Sequence, residues 1–238
     1  QALEEILFGL RLAECLKSER FLISSLVRIS NVDQQIQPIW EGLARNRWTE
    51  PHLAVLQATL QKINLLEDYR PVMQMERAAA LLYIDELRQG SFRSIAAAEL
   101  EYADRDERME TITRYLPGGI YRQNQLTIAH VYQDRFLPII NAAQHRVDVP
   151  AAQRAGTLRL PEGFHPYTFF ADILLPSNGK ASERFARAQV ALDLAQIACA
   201  LERHRLATGT WPAELADLTP RFLAAIPNDL ITGRPFIY

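Results

Sequence analysis

Apolar side chains recur every third or fourth position through most of the first ninety residues, which is the spacing of one face of an α-helix. The first such run extends from Ala2 to Lys17 and has its glutamates early, where a helix dipole favours them. A second run, from Leu22 to Leu43, contains Pro38, so a kink or a break is expected just before that residue. Ser18 is the candidate cap of this second helix.

Two more helices are predicted in the same half of the chain. Thr49 and Pro51 form a start signal, because threonine caps a helix and proline is tolerated in its first turn. A fourth helix is predicted from about Pro71 to Gln89, and Gly90 is a natural residue to end it. The connections between these helices are short, so the helices are expected to pack antiparallel.

The middle of the chain carries weaker signals. Residues 91–118 hold an alanine-rich patch and a run of mixed charge from Glu99 to Glu110, which is typical of a solvated helix or loop surface. Pro117-Gly118-Gly119 indicates a break, and the next helix is predicted from Ile120 to Ala143, bent or shortened by Pro138. Residues 146–179 are rich in proline and glycine, which indicates a surface connector whose aromatic cluster reaches the core: Phe164, Tyr167, Phe169 and Phe170.

The clearest helix runs from about Ala181 to Ala207 and is ended by Gly209. Its apolar residues form a predicted seam along one face, and the small residues beside this seam would let a neighbouring element approach closely. The seam consists of Val190, Leu194, Ile197 and Leu201, and the small residues are Ala188, Ala191, Ala195 and Ala198. Extended pieces near residues 230–231 and 236–238 predict a hairpin across the turn at Thr232-Gly233.

These elements predict a mainly α fold, an antiparallel helical bundle with a small C-terminal β-hairpin. The predicted organisation is a helical domain at residues 1–145, a connector at 146–179, and a last part at 180–238. That last part holds the long helix with its turn and hairpin, and it is expected to pack on the first domain.

Composition places the chain among water-soluble globular proteins. Its 238 residues are 48% hydrophobic and 23% charged, and 10 glycines and two cysteines exclude a collagen-like chain and a disulfide scaffold. No stretch approaches the roughly 18 to 20 uninterrupted apolar residues of a membrane span. The net charge of −2 argues against a nucleic-acid partner, because such proteins present a basic face.

The sequence predicts no catalytic residue, no cofactor and no metal site. Cys15 and Cys199 lack the spacing of zinc ligands, so each is interpreted as a small buried apolar residue. One long-range disulfide between them is the alternative if the chain is exported. There is no nucleophile motif of the GxSxG type and no glycine-rich phosphate loop.

The remaining ionisable residues have ordinary structural interpretations. None of the five histidines belongs to a metal-binding pattern, and His52 and His204 are expected to be solvated or locally hydrogen-bonded. Three carboxylate pairs are close in sequence, but helices carry such pairs on their wet faces; they are Glu4-Glu5, Asp85-Glu86 and Glu99-Glu101. Asp229 is expected to cap a turn rather than to bind calcium.

The order of features from Ala188 to Tyr238 is more specific than any single motif. The long helix ends in "ALERHRLATG", and "WP", "IPND" and "GRP" follow at intervals down to Tyr238. This region, about 51 of the 238 residues, resembles the part after the long helix in major pseudopilins of type II secretion systems. There a "YRLDNG-YP" stretch precedes a leucine-bearing segment, "LP-DPWG-PY-Y" and a small sheet.

The rest of the pseudopilin pattern is not matched. The family's long helix is apolar and starts the protein, whereas here some 180 residues precede it. The family's calcium loop lies beyond the matching region, so no metal ligand is carried over. The whole chain also looks similar to bacterial envelope proteins that share the "ALER-RLA-G-(W/Y)P" ending and have no assigned activity.

The resemblance implies a non-enzymatic structural or protein-interaction module outside the cytoplasm, in the periplasm or cell envelope. Its protein partner is not identified, and the start at Gln1 and the end at Tyr238 are interpreted as cut ends. A membrane tether is therefore expected outside the given residues. Two alternatives stay open: a hydrolase whose site is assembled from sequence-distant residues, and an intracellular helical adaptor.

Overall fold

The computed structural model describes residues 1–89, 116–158 and 165–238, and these residues form a mainly α structure with one small two-stranded sheet. The predicted fold class is confirmed. Within the described ranges, none of the helices is long and apolar enough to span a membrane.

The chain divides into two compact units that are not continuous in sequence. Unit 1 consists of Gln1–Tyr69, Ile140–Val147 and Glu183–Tyr238, and unit 2 consists of Arg70–Ile139 and Asp148–Ser182. The borders of these units differ from the division at 145 and 179 that composition suggests, because packing joins segments that are far apart in sequence.

Unit 1 is built mainly from helices near both ends of the chain. Its elements are α1 (Ala2–Cys15), a 3-10 turn (Leu16–Ser18), α2 (Leu22–Ala44), α3 (Glu50–Leu60), the start of α4 (Leu65–Gln89), a two-stranded sheet, and α8 (Ala181–Thr208) from Glu183 onward. A last 3-10 turn spans Leu215–Leu218. The sheet pairs β1 (Ile140–Asn141) with β2 (Arg146–Val147) antiparallel, with Ile140 opposite Val147.

Unit 2 holds the rest of α4 and the shorter elements of the middle of the chain. These are α5 (Gly118–Val131), a π-helical turn (Tyr132–Phe136), α6 (Val149–Gly156), α7 (Phe169–Leu174) and a 3-10 turn (Pro176–Asn178). The predicted surface connector is thus largely structured. Phe170 is buried as predicted, whereas Tyr167 is exposed and Phe164 lies outside the described residues.

The first two helices pack antiparallel, as their short connection predicts. Gly9 of α1 lies so close to Gln35 of α2 that a Cβ atom at Gly9 would be 2.3 Å from Cδ of Gln35. Glu14, later in α1, accepts a hydrogen bond from Arg28, which is earlier in α2, so the two helices run in opposite directions. Helix α2 continues through Pro38, so the expectation of a break there is wrong. A proline removes only one helix hydrogen bond, and the buried Ile36 and Ile39 hold the backbone helical on either side.

The structure corrects the predicted cap of α2 and the predicted start of α4, and it confirms the start of α3. Phe21 rather than Ser18 occupies the N-cap position of α2, because the Ser18 hydroxyl donates to a carbonyl of the preceding helix. Thr49 does precede α3, but its side chain makes no capping hydrogen bond. Helix α4 begins at Leu65, earlier than predicted, because the Asn64 side-chain oxygen caps it by accepting hydrogen bonds from the Leu66 and Glu67 amides.

The sheet lies elsewhere than predicted. The helix expected to reach Ala143 ends with the π turn at Phe136, and the strands follow Pro138. The C-terminal segment forms a single β-bridge between Asn228 and Pro235. In the intervening turn, the Asp229 carboxylate accepts hydrogen bonds from the backbone amides of Ile231 and Thr232. These amides are therefore not available for strand pairing.

Helix α8 has nearly the predicted bounds, but over most of its length a different face is buried. Leu192, Ala195 and Cys199 are 0% exposed. Of the predicted seam, Ile197 is buried, whereas Leu194 is 39% exposed. Polar side chains also lie on the buried face, because they find hydrogen-bond partners there. The C-terminal segment covers the end of this face with the cluster Ile197, Ala200, Leu215, Leu218, Phe222 and Leu223.

Unit 2 is organised around one buried amide. Asn124 is fully buried, and its Nδ2 donates to the carbonyls of Ile120 and Pro166, both at 2.9 Å. Its Oδ1 accepts from the backbone amides of Phe170 and Ala171 at the start of α7. All hydrogen-bonding positions of the amide are used, so Asn124 fixes α7 against α5.

Candidate functional site

A half-open groove of about 550 Å³ in unit 2 is the candidate functional site. It is bordered by the π turn and by helix α6, and its lining combines four charged residues with a few apolar ones. The lining residues are Asp134, Arg135, Pro138, Asp148, Ala151, Arg154, Thr157 and Leu158.

The π turn sets one border of the groove. Its wider hydrogen bond runs from the Leu137 amide to the Tyr132 carbonyl at 2.9 Å, and such turns are frequent at functional sites. Tyr132 and Phe136 are buried with ring centroids 5.1 Å apart, and the Tyr132 hydroxyl accepts from Asn178. These buried contacts fix the turn from below, while the exposed residues between them remain available to the groove.

Helix α6 sets the other border. Asp148 caps it by accepting a hydrogen bond from the Ala151 amide at 2.9 Å, and its own amide donates to the Ile139 carbonyl at 2.8 Å. Gly179 backs the helix, because a Cβ there would lie 2.3 Å from the Ala155 carbonyl oxygen. Only glycine allows the backbones to approach this closely, so the position of α6 is well defined.

The guanidinium groups of Arg135 and Arg154 carry the chemistry of the groove. Neither has a hydrogen bond or an ion pair with any other residue that the structure describes, and both are exposed. The carboxylate of Asp148 is held at the α6 N-terminus, where the helix dipole stabilises negative charge. The groove can therefore bind a ligand by ionic hydrogen bonds above an apolar surface formed by Pro138, Ala151 and Leu158.

A second polar network lies in unit 1, and the sequence analysis missed it. Nε2 of His145 is 2.8 Å from Oδ2 of Asp193, whose Oδ1 accepts from Gln189 Nε2 at 2.9 Å. Gln189 in turn accepts from the Leu65 backbone amide at 2.8 Å. Asp193 is 2% exposed and Gln189 is 3% exposed. The signal available in the sequence was two polar residues one helical turn apart on an alanine-rich face.

The His145 pair has a structural role. His145 has a positive φ of 49°, an unusual conformation for a non-glycine residue, in the turn that joins β1 to β2. Its bond to Asp193 fastens this turn to α8, and the imidazole has no other hydrogen-bond partner in the described parts of the chain. The pair gives the Asp193 carboxylate the partner that its nearly complete burial requires.

The residues singled out from sequence are used structurally. Asp229 caps its turn as predicted, and its backbone hydrogen bonds hold the pKa of that carboxyl below its ordinary value. His204 is locally bonded as predicted, with Nδ1 3.0 Å from the Thr210 carbonyl. His52 is half-buried; its Nδ1 is buried without a hydrogen-bond partner among the described residues, and its ring packs edge-on against Trp48, so the expected local hydrogen bond is not formed at this nitrogen.

The carboxylate pairs do not converge on a site. Glu4 and Glu5 are exposed, and Asp85 bonds to residues on its own helix. Glu99 and Glu101 lie outside the described residues. Across the described ranges, no group of three or more histidine, cysteine or acidic side chains is arranged to hold a metal ion.

Both cysteines are free, and they differ in environment. Cys199 is buried as predicted, and burial raises the pKa of its thiol to about 12. Cys15 is exposed, so its predicted burial is wrong. It lies at the end of α1, on the side that faces away from the buried Leu10 and Ala13.

The residues that carry the pseudopilin resemblance hold the C-terminal segment in place. Arg203 donates to Glu50 Oε1 at 2.8 Å and to Gln57 Oε1 at 2.9 Å. Gln57 then donates to the Phe222 carbonyl, and the Arg205 guanidinium lies over the Trp211 ring. This part of the sequence therefore serves folding, by linking α8 and the following segment to α3.

Comparison with known proteins gives no family: no family model, no curated protein and no solved structure matches the chain. The function must therefore be inferred from the groove and its charges.

Proposed function

We propose that the protein is a non-enzymatic interaction module that binds an extended segment of a partner protein in the groove of unit 2. The observation that carries the proposal is the free pair of guanidiniums, Arg135 and Arg154, beside an apolar surface. The volume of about 550 Å³ lies in the range of ligand sites, and the groove is half open. A chain longer than the groove can therefore lie in it and continue beyond it.

The lining favours binding over catalysis. The described lining residues include no serine, cysteine or histidine, and the one hydroxyl, that of Thr157, donates to the Gln153 carbonyl at 3.0 Å. Asp148 is occupied as a helix cap. Hydrolysis requires a nucleophile with a base beside it. His145 and Asp193, which are paired in unit 1, are not among the lining residues.

Filling the groove is expected to abolish binding. Phage that display random nonapeptides would be selected for binding to the immobilised whole chain. The affinities of the enriched peptides for the chain would then be measured by fluorescence anisotropy. Ala151→Trp places an indole in the groove and should weaken their binding at least tenfold. Gln153→Trp is the matched control, because Gln153 is exposed on the same helix but does not line the groove.

Three outcomes would contradict the proposed function. The first is a selection that enriches no peptide above background. The second is equal binding by Ala151→Trp and the wild-type chain, with both folded by circular dichroism. A loss of binding in Gln153→Trp as large as in Ala151→Trp would also place the site elsewhere.

The proposal includes a location outside the cytoplasm, in the periplasm or cell envelope, with the protein tethered to the membrane or free. It is supported by the pseudopilin-like region from Ala188 to Tyr238. The complete gene product fused to alkaline phosphatase should give an active enzyme, since this reporter needs disulfides that form outside the cytoplasm. This location would be contradicted if the phosphatase fusion were inactive and a separate fusion to a fluorescent protein were distributed through the cytoplasm.

A further inference from the structure

We infer that the segment bound in the groove is acidic, with carboxylates that pair with Arg135 and Arg154. The inference rests on the proposed function and names the chemistry of the partner. It follows from which charges of the groove are already engaged within the protein and which are not.

The two acidic lining residues form no ion pair with the two arginines. Asp148 accepts a hydrogen bond from the Ala151 amide and lies at the positive end of α6, so it already has a favourable partner within the protein. Asp134 makes no ion pair with another described residue, including its neighbour Arg135. The formal charge of the lining is zero, but two unpaired guanidiniums and only one unpaired carboxylate remain for a ligand to bind.

The remaining lining suits an acidic peptide in particular. Guanidinium groups bind carboxylates through two parallel hydrogen bonds, which fixes the orientation of a side chain. Pro138, Ala151 and Leu158 provide apolar surface for the methylene groups of glutamate or for apolar residues between the acidic ones. A basic segment would place its charges beside the two arginines, and this repulsion disfavours it.

The test compares three nonapeptide libraries that share the same apolar positions. At the other positions the first library has Asp and Glu, the second has Asn and Gln, and the third has Lys and Arg. Each is measured by anisotropy against the whole chain. Only the acidic library should bind, and its affinity should fall at least tenfold between 50 mM and 500 mM salt, because exposed charges are screened.

Single substitutions assign the binding to the groove. Arg135→Gln and Arg154→Gln should each lower the affinity for the acidic library at least fivefold. Both residues are exposed, so folding should be preserved. Arg122→Gln is the matched control, since Arg122 is an exposed arginine of the same unit outside the groove. It should leave the affinity unchanged.

The outcomes separate this inference from the proposed function. If the amide or basic library binds as well as the acidic one, and Ala151→Trp abolishes that binding, the inference is wrong and the proposed function stands. If Arg122→Gln weakens acidic binding as much as Arg135→Gln or Arg154→Gln, the attraction is diffuse and the inference is again wrong. If no library binds, both are wrong.

Discussion

Replacing Leu192 by alanine is expected to lower the free energy of unfolding by about 3 to 5 kcal/mol. Leu192 is 0% exposed on the buried face of α8. The substitution removes the burial of most of a leucine side chain and leaves a cavity, since the surrounding packing relaxes only in part. Guanidinium denaturation followed by circular dichroism at 222 nm measures the loss.

Leu194→Ala is the matched control, with the same chemical change two residues further along the same helix. Leu194 is 39% exposed, so its truncation should cost less than about 1 kcal/mol. The apolar spacing of the sequence predicts the reverse order, because it places Leu194 in the seam. A cost for Leu194→Ala equal to or above that of Leu192→Ala would show that the other face of α8 is buried.

Arg28→Ala is expected to have a comparable effect, about 3 to 5 kcal/mol of destabilisation at pH 7. Arg28 is 3% exposed, and its guanidinium bonds to Glu14 at 2.5 Å and to Asp68. It thereby joins α1, α2 and the start of α4 within unit 1. Its removal leaves the largely buried Asp68 carboxylate without its main positive partner, and an unpaired buried charge is costly.

The destabilisation by Arg28→Ala should depend on pH. Burial raises the pKa of Asp68, and the charge and hydrogen bond of Arg28 oppose that rise, with a smaller contribution from Lys17. A folded-state pKa above the unfolded value means that stability from this carboxyl is present at low pH and is lost as pH rises through the folded pKa. Without Arg28 the pKa of Asp68 rises further, so the difference from wild type should be larger at pH 7 than near pH 4.

Arg187→Ala provides the control for loss of an ion pair. Arg187 bonds to Glu183 at 2.5 Å, but both side chains are more than half exposed, so the expected cost is below about 1 kcal/mol. Denaturation at both pH values compares the two variants. A loss for Arg28→Ala no larger than that for Arg187→Ala, or one equal at both pH values, would contradict the role assigned to Arg28.

The helices themselves could be predicted because helical spacing and end signals are local. The long helix was predicted from Ala181 to Ala207 and extends to Thr208, and the first helix begins at Ala2 as expected. The start of α4 was predicted too late although its signals are local, since Asn64 is a capping residue and Leu65, Tyr69 and Val72 keep the apolar spacing across Pro71.

The buried polar residues could not be predicted from the same signals. Apolar spacing gives no reason to bury Gln189 or Asp193, yet both are buried because the Leu65 amide and His145 supply partners from elsewhere in the chain. A partner distant in sequence leaves no periodic mark near the residue that it stabilises. The buried Arg28 escaped prediction for the same reason.

The groove depends on tertiary structure even more strongly. Its residues come from a stretch predicted to be the end of one helix and the start of a connector. The π turn that follows Val131 and the close approach of Gly179 to Ala155 shape it, and neither has a sequence pattern of its own. The four charges of the lining are evident in the sequence, but their arrangement around a groove is not.

By itself, the amino-acid sequence determined that this protein is mainly helical, where its long helices lie, and that the turn at Asp229 is capped by its own carboxylate. These properties depend on spacing and hydrogen bonds within a few residues. Only the tertiary structure decided which face of α8 is buried, where the small sheet forms, and which arginines remain unpaired beside the groove. Each of these depends on burial and partners contributed by distant segments, and the sequence order does not record them.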